Sequence, residues 1–206
     1  MSASIAPVMR VGLYGGAFDP PHRGHVALAQ AAVSGLHLDV LHVVPTGQAW
    51  HKTRDLSDAK HRLAMARLAF EGVAGVVVDP REIERHGPSY TLVTLDELKR
   101  RYPEAQLFLI LGQDQAQAFA SWWRADQISQ LAIICVAARA GFMGETPLID
   151  SIQEPNGPFQ PLEMPLVPVS ATEIRHAVAA RQNVAPLVFE PVARYIDQHH
   201  LYQTAR

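Results

Sequence analysis

The stretch VGLYGGAFDPPHRGH, from Val11 to His25, decides the fold. Its first residues, Val11–Tyr14, form a short apolar run that predicts a strand buried in a parallel sheet. The pair Gly15–Gly16 then permits a tight turn or a close approach of a ligand to the backbone. Pro20–Pro21 predict an extended loop, and a helical pattern follows at once. This order of strand, glycine turn, proline loop and helix predicts an α/β protein with a ligand-binding crevice at the carboxyl end of the strand.

The rest of the chain continues the alternation of strands and helices. We therefore expect an open parallel sheet with helices on both faces and a helical C-terminal end. The segment 141–161 is rich in proline and glycine and has no period, so we expect a mobile loop there. The later strands are predicted at Leu38–Val44, Val76–Val78, Gln106–Leu111, Ala132–Ala137 and Pro165–Val169. The later helices are predicted at Ser57–Ala69, from Leu92 to a stop at Pro103, at Gln115–Trp123, at Ala125–Leu131, at Ser170–Arg181 and at Pro191–His199, with 80–88 as a loop.

Composition narrows the class of protein. The chain has 206 residues, of which 48% are hydrophobic, so one packed α/β domain is expected. The formal net charge is −2 and no run of Lys or Arg is present, which argues against a nucleic-acid partner. The one cysteine, Cys135, lies in an apolar run and has no partner for a disulfide within the chain. No signal peptide or membrane-spanning run is evident, so we expect a cytoplasmic protein without a membrane partner.

His22 and His25 are the first candidates for chemistry. Two imidazoles three residues apart at a helix start lie on one side of that helix, and Gly24 lets a large ligand come close to the backbone. Such a pair suits hydrogen bonds to phosphate oxygens, and a protonated histidine would balance charge that develops on them. A zinc pair and two solvated loop histidines are the alternatives for an isolated H-x-x-H spacing. The flanking glycines and prolines favour the phosphate interpretation.

A second candidate site begins at Ser170. The spacing of Ser170 and Glu173 predicts a capping box, which on its own indicates only a well-capped helix. Thr172 adds a hydroxyl group, and Arg175 adds a fork of donors suited to phosphate. This helix follows a predicted strand and therefore starts at the same sheet edge as the histidine pair. Together the two stretches favour a phosphate clamp.

Two weaker candidates also follow strands. Lys52 lies after the second strand and is suited to a triphosphate, although most loop lysines are simply solvated. Asp114 follows the fourth strand and suits ribose hydroxyl groups or a metal site, but it suits a helix cap equally well.

Aromatic and hydroxyl side chains suggest a site for a ring. Trp122 and Trp123 are either core residues or a stacking wall, and adjacent positions on a helix point about 100° apart, so one of them is expected to face a ligand. Tyr90 and Thr91 either mark only a helix start or offer hydroxyl groups to a polar ring substituent.

Several motifs together carry a family resemblance. Gly15–His25 resembles the H-x-G-H signature of the nucleotidyltransferase superfamily, and its longer form GG-x-FDP-x-H-x-GH resembles that of the nicotinate-nucleotide adenylyltransferases. The sequence departs from the pattern at Ala17, where Thr or Ser is common, and at Ala140 and Phe189, where Pro is usual. The later matches, in order, are Gly87–Thr91 to G-x-SYT, Gly112–Asp114 with Trp122 to GxD…W, Arg139–Gly141 to Arg-Pro-Gly, Val169–Arg175 to ISSTxIR, and Leu187–Tyr202 to a closing helix with an LY ending.

The resemblance implies a single Rossmann-like nucleotidyltransferase domain over residues 1–206. The implied reaction transfers an adenylyl group from ATP to nicotinate mononucleotide in NAD biosynthesis, giving nicotinate adenine dinucleotide and pyrophosphate. Mg²⁺ would be bound through the phosphates of ATP, with no direct protein ligand. The acid substrate is favoured over its amide, and the oligomeric state is left open.

The resemblance also assigns roles to residues. His25 would stabilise charge on the α-phosphate, while His22, Lys52 and Arg175 would hold the β- and γ-phosphates. The implied ATP site comprises Gly15, Gly16, Ala17, Phe18, His22, His25, Gly112, Asp114, Arg139, Ser170, Thr172 and Arg175, and the implied mononucleotide site comprises Tyr90, Thr91, Trp122 and Trp123.

Other interpretations are open at this stage. A phosphopantetheine adenylyltransferase and a cytidylyltransferase are the nearest, but the Ser-Tyr-Thr and Trp-Trp elements favour a substrate with a ring to stack. A catalytically silent nucleotide-binding module is disfavoured by the intact His22, His25 and Arg175. A tRNA-synthetase-like fragment would need a basic RNA-binding face, which the composition does not provide.

Overall fold

The computed structural model describes residues 8–47, 56–139 and 159–203. Six strands are present in this part of the chain: β1 (Arg10–Gly16), β2 (Val40–Pro45), β3 (Val76–Val78), β4 (Gln106–Leu111), β5 (Ala132–Arg139) and β6 (Phe159–Met164). The α-helices described are α1 (Arg23–Gly35), α2 (Ala59–Phe70), α3 (Arg81–Glu84), α4 (Thr91–Arg101), α5 (Gln113–Ala118), α6 (Ala125–Leu131), α7 (Ala171–Ala179) and α8 (Glu190–Gln198). Among the helices described, none combines the length and apolar character needed to cross a membrane.

The strands form one parallel sheet in the order β3-β2-β1-β4-β5-β6. Strand β1 lies between β2 and β4, with Val11 opposite Val40 on one side and opposite Leu107 on the other. The chain proceeds from β1 toward β3 and then returns to the far side of β1, so the direction of winding changes between β1 and β4. In an open α/β sheet, that switch point is where a ligand crevice opens beyond the carboxyl ends of the strands.

Helices cover both faces of the sheet, as the sequence predicts, and each face has its own apolar core. Strand β4 shows this directly, because Phe108 and Ile110 pack into one core while Leu107 and Leu109 pack into the other. The first core is closed by α1, α2, α7 and α8, and the second by α4 and α6. The α/β class and the Rossmann-like parallel sheet are therefore confirmed.

The predicted sixth strand is wrong in position. Strand β6 is Phe159–Met164, which pairs with β5, and 165–169 contains no strand. Pro165 and Pro168 lack the N–H groups that a ladder needs, whereas Pro161 is tolerated because β6 is an edge strand. Residues 141–158 of the predicted loop lie outside the described part of the chain. Residues 159–161 belong to β6 and are therefore not loop.

Two helix predictions and one loop prediction need correction. Helix α2 begins after Asp58, whose carboxylate accepts a hydrogen bond from the Lys60 N–H at 2.9 Å, so Ser57 is not the cap. The predicted loop 80–88 contains the short helix α3. The predicted helix over Gln115–Trp123 is instead α5 followed by a 3-10 turn at Phe119–Ser121, and Trp122 has extended backbone.

Candidate active site

A cleft of about 860 Å³ opens beyond the carboxyl ends of β1 and β4. This volume lies within the range of ligand pockets in proteins. The β1–α1 turn, the starts of α4 and α5, and the start of α7 meet around it. It is lined by Gly15, Gly16, Ala17, Phe18, His22, His25, Tyr90, Thr91, Gly112, Asp114, Trp122, Trp123, Ser170, Thr172 and Arg175, among others. The structure thus brings together all of the predicted site residues except two: Lys52 and the side chain of Arg139 lie outside the described part of the chain.

The histidine pair is tightly organised. The two rings are stacked with centroids 3.7 Å apart, and the His22 main-chain N–H donates to His25 Nδ1 at 3.1 Å. Because Nδ1 acts as an acceptor, the imidazole of His25 is neutral in this arrangement and carries its proton on Nε2. The geometry therefore supports a neutral N–H donor at His25 rather than a protonated ring.

His22 is kept neutral by its surroundings. Only 9% of the residue is exposed, and burial lowers its pKa to about 4, although Glu173 opposes this shift. Within the residues that the structure describes, its buried Nδ1 makes no hydrogen bond. A buried polar atom without a partner lowers stability. His22 therefore occupies a position that is unfavourable for folding.

This burial makes stability depend on pH. The unfolded state takes up a proton near pH 6.5 and the folded state only near pH 4, so His22 destabilises the fold progressively as the pH falls through this window. The full effect is about 3 kcal/mol. We expect His22→Gln to flatten the dependence of the urea midpoint on pH between 6.5 and 4.

The exposed His86 provides the control for that measurement. His86→Gln should leave the pH dependence of the urea midpoint as it is in the unsubstituted protein. An equally steep dependence in the His22→Gln protein would contradict the assignment.

The turn after β1 is shaped by Phe18. Its backbone is left-handed, with φ of 49°, and its buried ring contacts the rings of Tyr14, His25 and Phe70 edge-on or nearly so, with centroids 5.1 to 5.8 Å apart. A Cβ atom on Gly16 would lie 3.0 Å from the Phe18 ring, so glycine lets the turn close over that ring. The side chain of Phe18 thus packs in the core and supports His25, while the turn itself lines the cleft.

Helix α7 positions the arginine. The capping box is confirmed: Ser170 Oγ accepts from the Glu173 N–H at 3.2 Å, and Glu173 Oε2 accepts from the Ser170 N–H at 2.8 Å. Arg175 donates from Nη1 to the carbonyl of Asp19 at 2.9 Å and from Nη2 to Thr172 Oγ1 at 2.9 Å. The guanidinium group is thereby held between α7 and the β1–α1 turn, at the edge of the cleft.

The other end of the cleft carries the aromatic residues. Tyr90 precedes α4 and packs against Trp123, with ring centroids 4.7 Å apart and the rings tilted by 36°. Trp123 is 40% exposed, whereas Trp122 is half-buried and packs beside Phe119, with centroids 5.6 Å apart. The two indole rings face different surroundings, as the sequence predicts. The reason is different, because Trp122 has extended backbone and the two residues do not follow one another on a helix.

Asp114 lies in the first turn of α5 and is exposed. The cap of that helix is Gly112, so the alternative that Asp114 is a helix cap is wrong.

Three residues that the sequence analysis did not assign hold the β1–α1 turn: Asp19, Tyr202 and Arg62. Asp19 is 1% exposed, and its carboxylate accepts from the Tyr202 hydroxyl at 2.7 Å and from the Ser57 N–H at 3.3 Å. The proline-rich motif contains Asp19 but gives no sign of its partners. The LY ending of the family pattern includes Tyr202 without indicating its contact.

Arg62 was also missed. It is 2% exposed and donates to the carbonyl groups of Ser57, Ala17 and Gly47 at 2.9, 3.0 and 3.4 Å. The sequence did contain a signal, because Arg62 stands three and four residues before Met65 and Ala66 and thus lies on the apolar stripe of α2.

The carboxylates near the cleft do not form a metal cage. Across residues 8–47, 56–139 and 159–203, no three His, Cys, Asp or Glu side chains are grouped to hold a metal ion. Glu173 is engaged in the capping box, and Asp19 is engaged with Tyr202. The end of the cleft that holds His22, His25 and Arg175 therefore presents imidazole and guanidinium donors.

The fold and this cleft define a class of nucleotide-binding α/β proteins, and comparison with known proteins identifies it. Residues 13–177 match the model of the cytidylyltransferase-like family. A relative from Albidiferax ferrireducens, named a probable nicotinate-nucleotide adenylyltransferase, is 60% identical over 196 residues, covering 95% of this chain and 99% of the relative. The nicotinate-nucleotide adenylyltransferase of Bacillus subtilis strain 168 is 33% identical over 196 residues, with coverage of 95% and 99%.

A solved structure agrees in fold. The Plasmodium falciparum nicotinic acid mononucleotide adenylyltransferase complexed with NaAD is 18% identical, with a TM-score of 0.75, and the match covers 94% of this chain and 97% of that one. Given the full-length relatives, the chain belongs to the cytidylyltransferase-like family and, within it, to the nicotinate-nucleotide adenylyltransferases. The family resemblance of the motifs is thereby confirmed.

Proposed function

We propose that the cleft transfers the adenylyl group of ATP to nicotinate mononucleotide, forming nicotinate adenine dinucleotide and pyrophosphate. The observation that carries this proposal is the meeting of His22, His25 and Arg175 around one end of a cleft whose other end is aromatic. One end suits the phosphates and the other suits the pyridine ring. Family membership supports the same reaction.

The reaction needs no protein nucleophile. A phosphate oxygen of the mononucleotide attacks the α-phosphorus of ATP. The bond from that phosphorus to the oxygen that bridges the α- and β-phosphates breaks, and pyrophosphate leaves with this oxygen. Burial raises the pKa of Cys135 to about 12, so its thiol is not activated, and the Ser170 hydroxyl is bonded to Glu173. Catalysis then consists of positioning the substrates and stabilising charge.

We propose the following phosphate-binding roles, which the contacts support. His25 Nε2–H is the donor to the α-phosphate oxygen on which charge develops. His22, Arg175 and the main chain of Gly15–Phe18 would hold the β- and γ-phosphates. We assign Lys52 to the same phosphates on the family resemblance alone. In the same way, Gly112, Asp114, Arg139, Ser170 and Thr172 are proposed to contact the rest of ATP.

Helix α4 supports the acid form of the second substrate. Its eleven residues begin at Thr91, and Tyr90 and Thr91 line the cleft. Unpaired N–H groups and the positive end of the dipole at a helix N-terminus favour a negative charge nearby. A carboxylate on the pyridine ring would gain from this arrangement, whereas a carboxamide would gain less.

We propose that Mg²⁺ enters bound to the phosphates of ATP. The donors at the phosphate end suit phosphate oxygens and not a hard cation, which prefers phosphate, carboxylate and water oxygens. When bound, the ion would neutralise part of the phosphate charge. We also propose that the chain is a single domain and that it works in the cytoplasm, where ATP is available.

A pyrophosphate-release assay tests the proposed function. ATP is mixed with nicotinate mononucleotide, with its amide, or with phosphopantetheine, and initial rates are compared. We expect the highest kcat/KM with nicotinate mononucleotide. A higher value with either other acceptor would overturn the substrate assignment, and tight ATP binding without pyrophosphate release from any acceptor would indicate a nucleotide-sensing module.

Trp122 is proposed to stack on the pyridine ring. Stacking of a base on an aromatic side chain contributes about 1–3 kcal/mol, so Trp122→Ala should raise the KM for nicotinate mononucleotide about tenfold and change the KM for ATP much less. Steady-state kinetics with each substrate varied in turn measure this difference. Because Trp122 also packs beside Phe119, the variant's melting temperature is recorded. Equal weakening of both substrates would instead identify Trp122 as a core residue.

A further inference from the structure

Glu82 is a buried acid in the wall of the cleft. It belongs to α3, lines the cleft and is only 7% exposed. A carboxyl group removed from water lowers stability unless hydrogen bonds or an opposite charge compensate for the loss. Burial raises the pKa of Glu82, and the hydrogen bond from Thr94 and the charge of Arg85 oppose that rise. The partners of Glu82 therefore indicate what this acid does at the cleft wall.

One partner of Glu82 is Thr94 in α4. Thr94 is fully buried, and its hydroxyl group donates to Glu82 Oε1 at 2.7 Å. Arg85 fixes the direction of this bond, because its Nη2 donates to the same hydroxyl oxygen at 3.3 Å and a guanidinium group has donors only. Arg85 also pairs with Glu97 of α4 at 2.7 Å. Glu82 and Arg85 thus attach α3 to the first two turns of α4.

Thr94 lies one turn below the residues of α4 that face the cleft. Its main-chain N–H donates to the carbonyl of Tyr90 at 3.3 Å, and Tyr90 and Thr91 line the cleft. Tyr90 is the N-cap residue, and tyrosine lacks the short polar side chain with which Ser, Thr, Asp or Asn fixes a helix start. The bond between Thr94 and Glu82 therefore fixes that start from outside the helix.

Glu82 also meets the loop after β2. The N–H of Gly47 is a further donor to its carboxyl group. The two backbones are so close that a Cβ atom on Gly47 would overlap the carbonyl oxygen of Glu82. One side chain therefore connects the loop after β2 with the start of α4.

We propose that Glu82 is a positioning residue that determines the preference of the cleft for a mononucleotide with a carboxylate, because it holds the N-terminal end of α4 at the cleft through Thr94. The N–H groups and the dipole at that end favour a negative charge only within about the first turn. A shift of the helix start would therefore weaken the interaction with a carboxylate more than that with a carboxamide. This inference rests on the proposed function, since it requires that nicotinate mononucleotide be the substrate.

The first test compares Glu82→Gln with Glu84→Gln. Glu84 belongs to the same short helix and is exposed, so the control removes one acid from α3 without changing the partner of Thr94. In Glu82→Gln, we expect the KM for nicotinate mononucleotide to rise about tenfold, and the KM for its amide, the KM for ATP and kcat to change less than about threefold. Glu84→Gln should leave all of these values within about twofold of the unsubstituted protein.

Two variants of Thr94 separate position from charge. Thr94→Val removes the hydroxyl group and keeps the branched shape, whereas Thr94→Ser keeps the hydroxyl group. We expect Thr94→Val to raise the KM for nicotinate mononucleotide as Glu82→Gln does, and Thr94→Ser to keep it close to the unsubstituted value. Because both changes break one contact, the double variant Glu82→Gln/Thr94→Val should show little further increase. The Thr94 pair decides the matter even if Glu82→Gln is too unstable to purify.

Three outcomes would overturn the inference without touching the proposed function. They are an unchanged KM for nicotinate mononucleotide in both Glu82→Gln and Thr94→Val, a lower KM in Glu82→Gln, which would mean that the acid acts through its charge, and equal increases for the acid, the amide and ATP, which would mean a structural role only. If the unsubstituted protein releases no pyrophosphate with nicotinate mononucleotide, the proposed function fails and this inference fails with it.

Discussion

His25→Ala is expected to lower kcat about a hundredfold to a thousandfold while leaving the Kd for ATP within about threefold, because a preorganised donor aimed at developing charge acts mainly in the transition state. The structure supports this role through the hydrogen bond from the His22 N–H to His25 Nδ1, which fixes the ring and leaves its proton on Nε2. Single-turnover kinetics at saturating ATP would measure the loss in the chemical step. Calorimetry would measure ATP binding separately.

A matched variant distinguishes the donor from the cap. His25 also supports the start of α1 by accepting the His22 N–H, and loss of such a cap costs about 1 kcal/mol of stability. His25→Gln places an amide N–H close to the position of Nε2, so we expect it to recover part of kcat relative to His25→Ala. If the purified His25→Ala protein turned over at the normal rate, the assignment of His25 would be wrong.

Gly47→Ala is expected to lower the free energy of unfolding by about 3 kcal/mol, at the upper end of overpacking effects. A Cβ atom at Gly47 would overlap the carbonyl oxygen of Glu82 and lie 2.9 Å from Ser89 Oγ. The first of these is a backbone atom of α3, so the loop after β2 and helix α3 must separate. Because Gly47 also accepts from Arg62, the shift would weaken that contact as well.

Gly35→Ala is the control for that experiment. Its Cβ atom would meet only Leu162 Cδ1 at 3.4 Å, an ordinary contact, so we expect little change in unfolding by urea. Since Ser89 adjoins Tyr90, Gly47→Ala should also raise the KM for nicotinate mononucleotide more than the KM for ATP. A Gly47→Ala protein as stable as Gly35→Ala would show that the loop and the helix separate without cost.

Local patterns were sufficient for much of the fold. Strand β4 and helix α6 have the predicted bounds, because a continuous apolar run and a helical period each identify their element without help from distant residues. Pro165 and Pro168 argue against a strand over 165–169, and the true edge strand β6 lacks a strong apolar pattern. Its pairing with β5 supplies what its own sequence does not.

Some residues of the site can likewise be predicted from local motifs, and others cannot. His22, His25 and Arg175 stand in recognisable motifs, and their imidazole and guanidinium groups are the usual donors to phosphate. The sequence therefore predicts them as site residues, and in the structure they line one cleft. Tyr202 is different, because nothing near it in the sequence indicates Asp19 as its partner. The burial of Arg62 can be predicted from its place on the apolar stripe of α2. Its three carbonyl partners cannot, because they depend on how the loops fold.

The contacts that brace the β1–α1 turn also bear on the order of folding. Arg23 donates to the carbonyl of Pro186 across 163 positions, and the contacts of Asp19 with Arg175 and Tyr202 span 156 and 183. The entropy of closing such loops grows only slowly with length, so the stability penalty is modest. Contacts between distant parts of a chain nevertheless slow folding. The end of the cleft beside the β1–α1 turn should therefore be among the last parts to form, and a folding intermediate that has only its central strands paired would lack it.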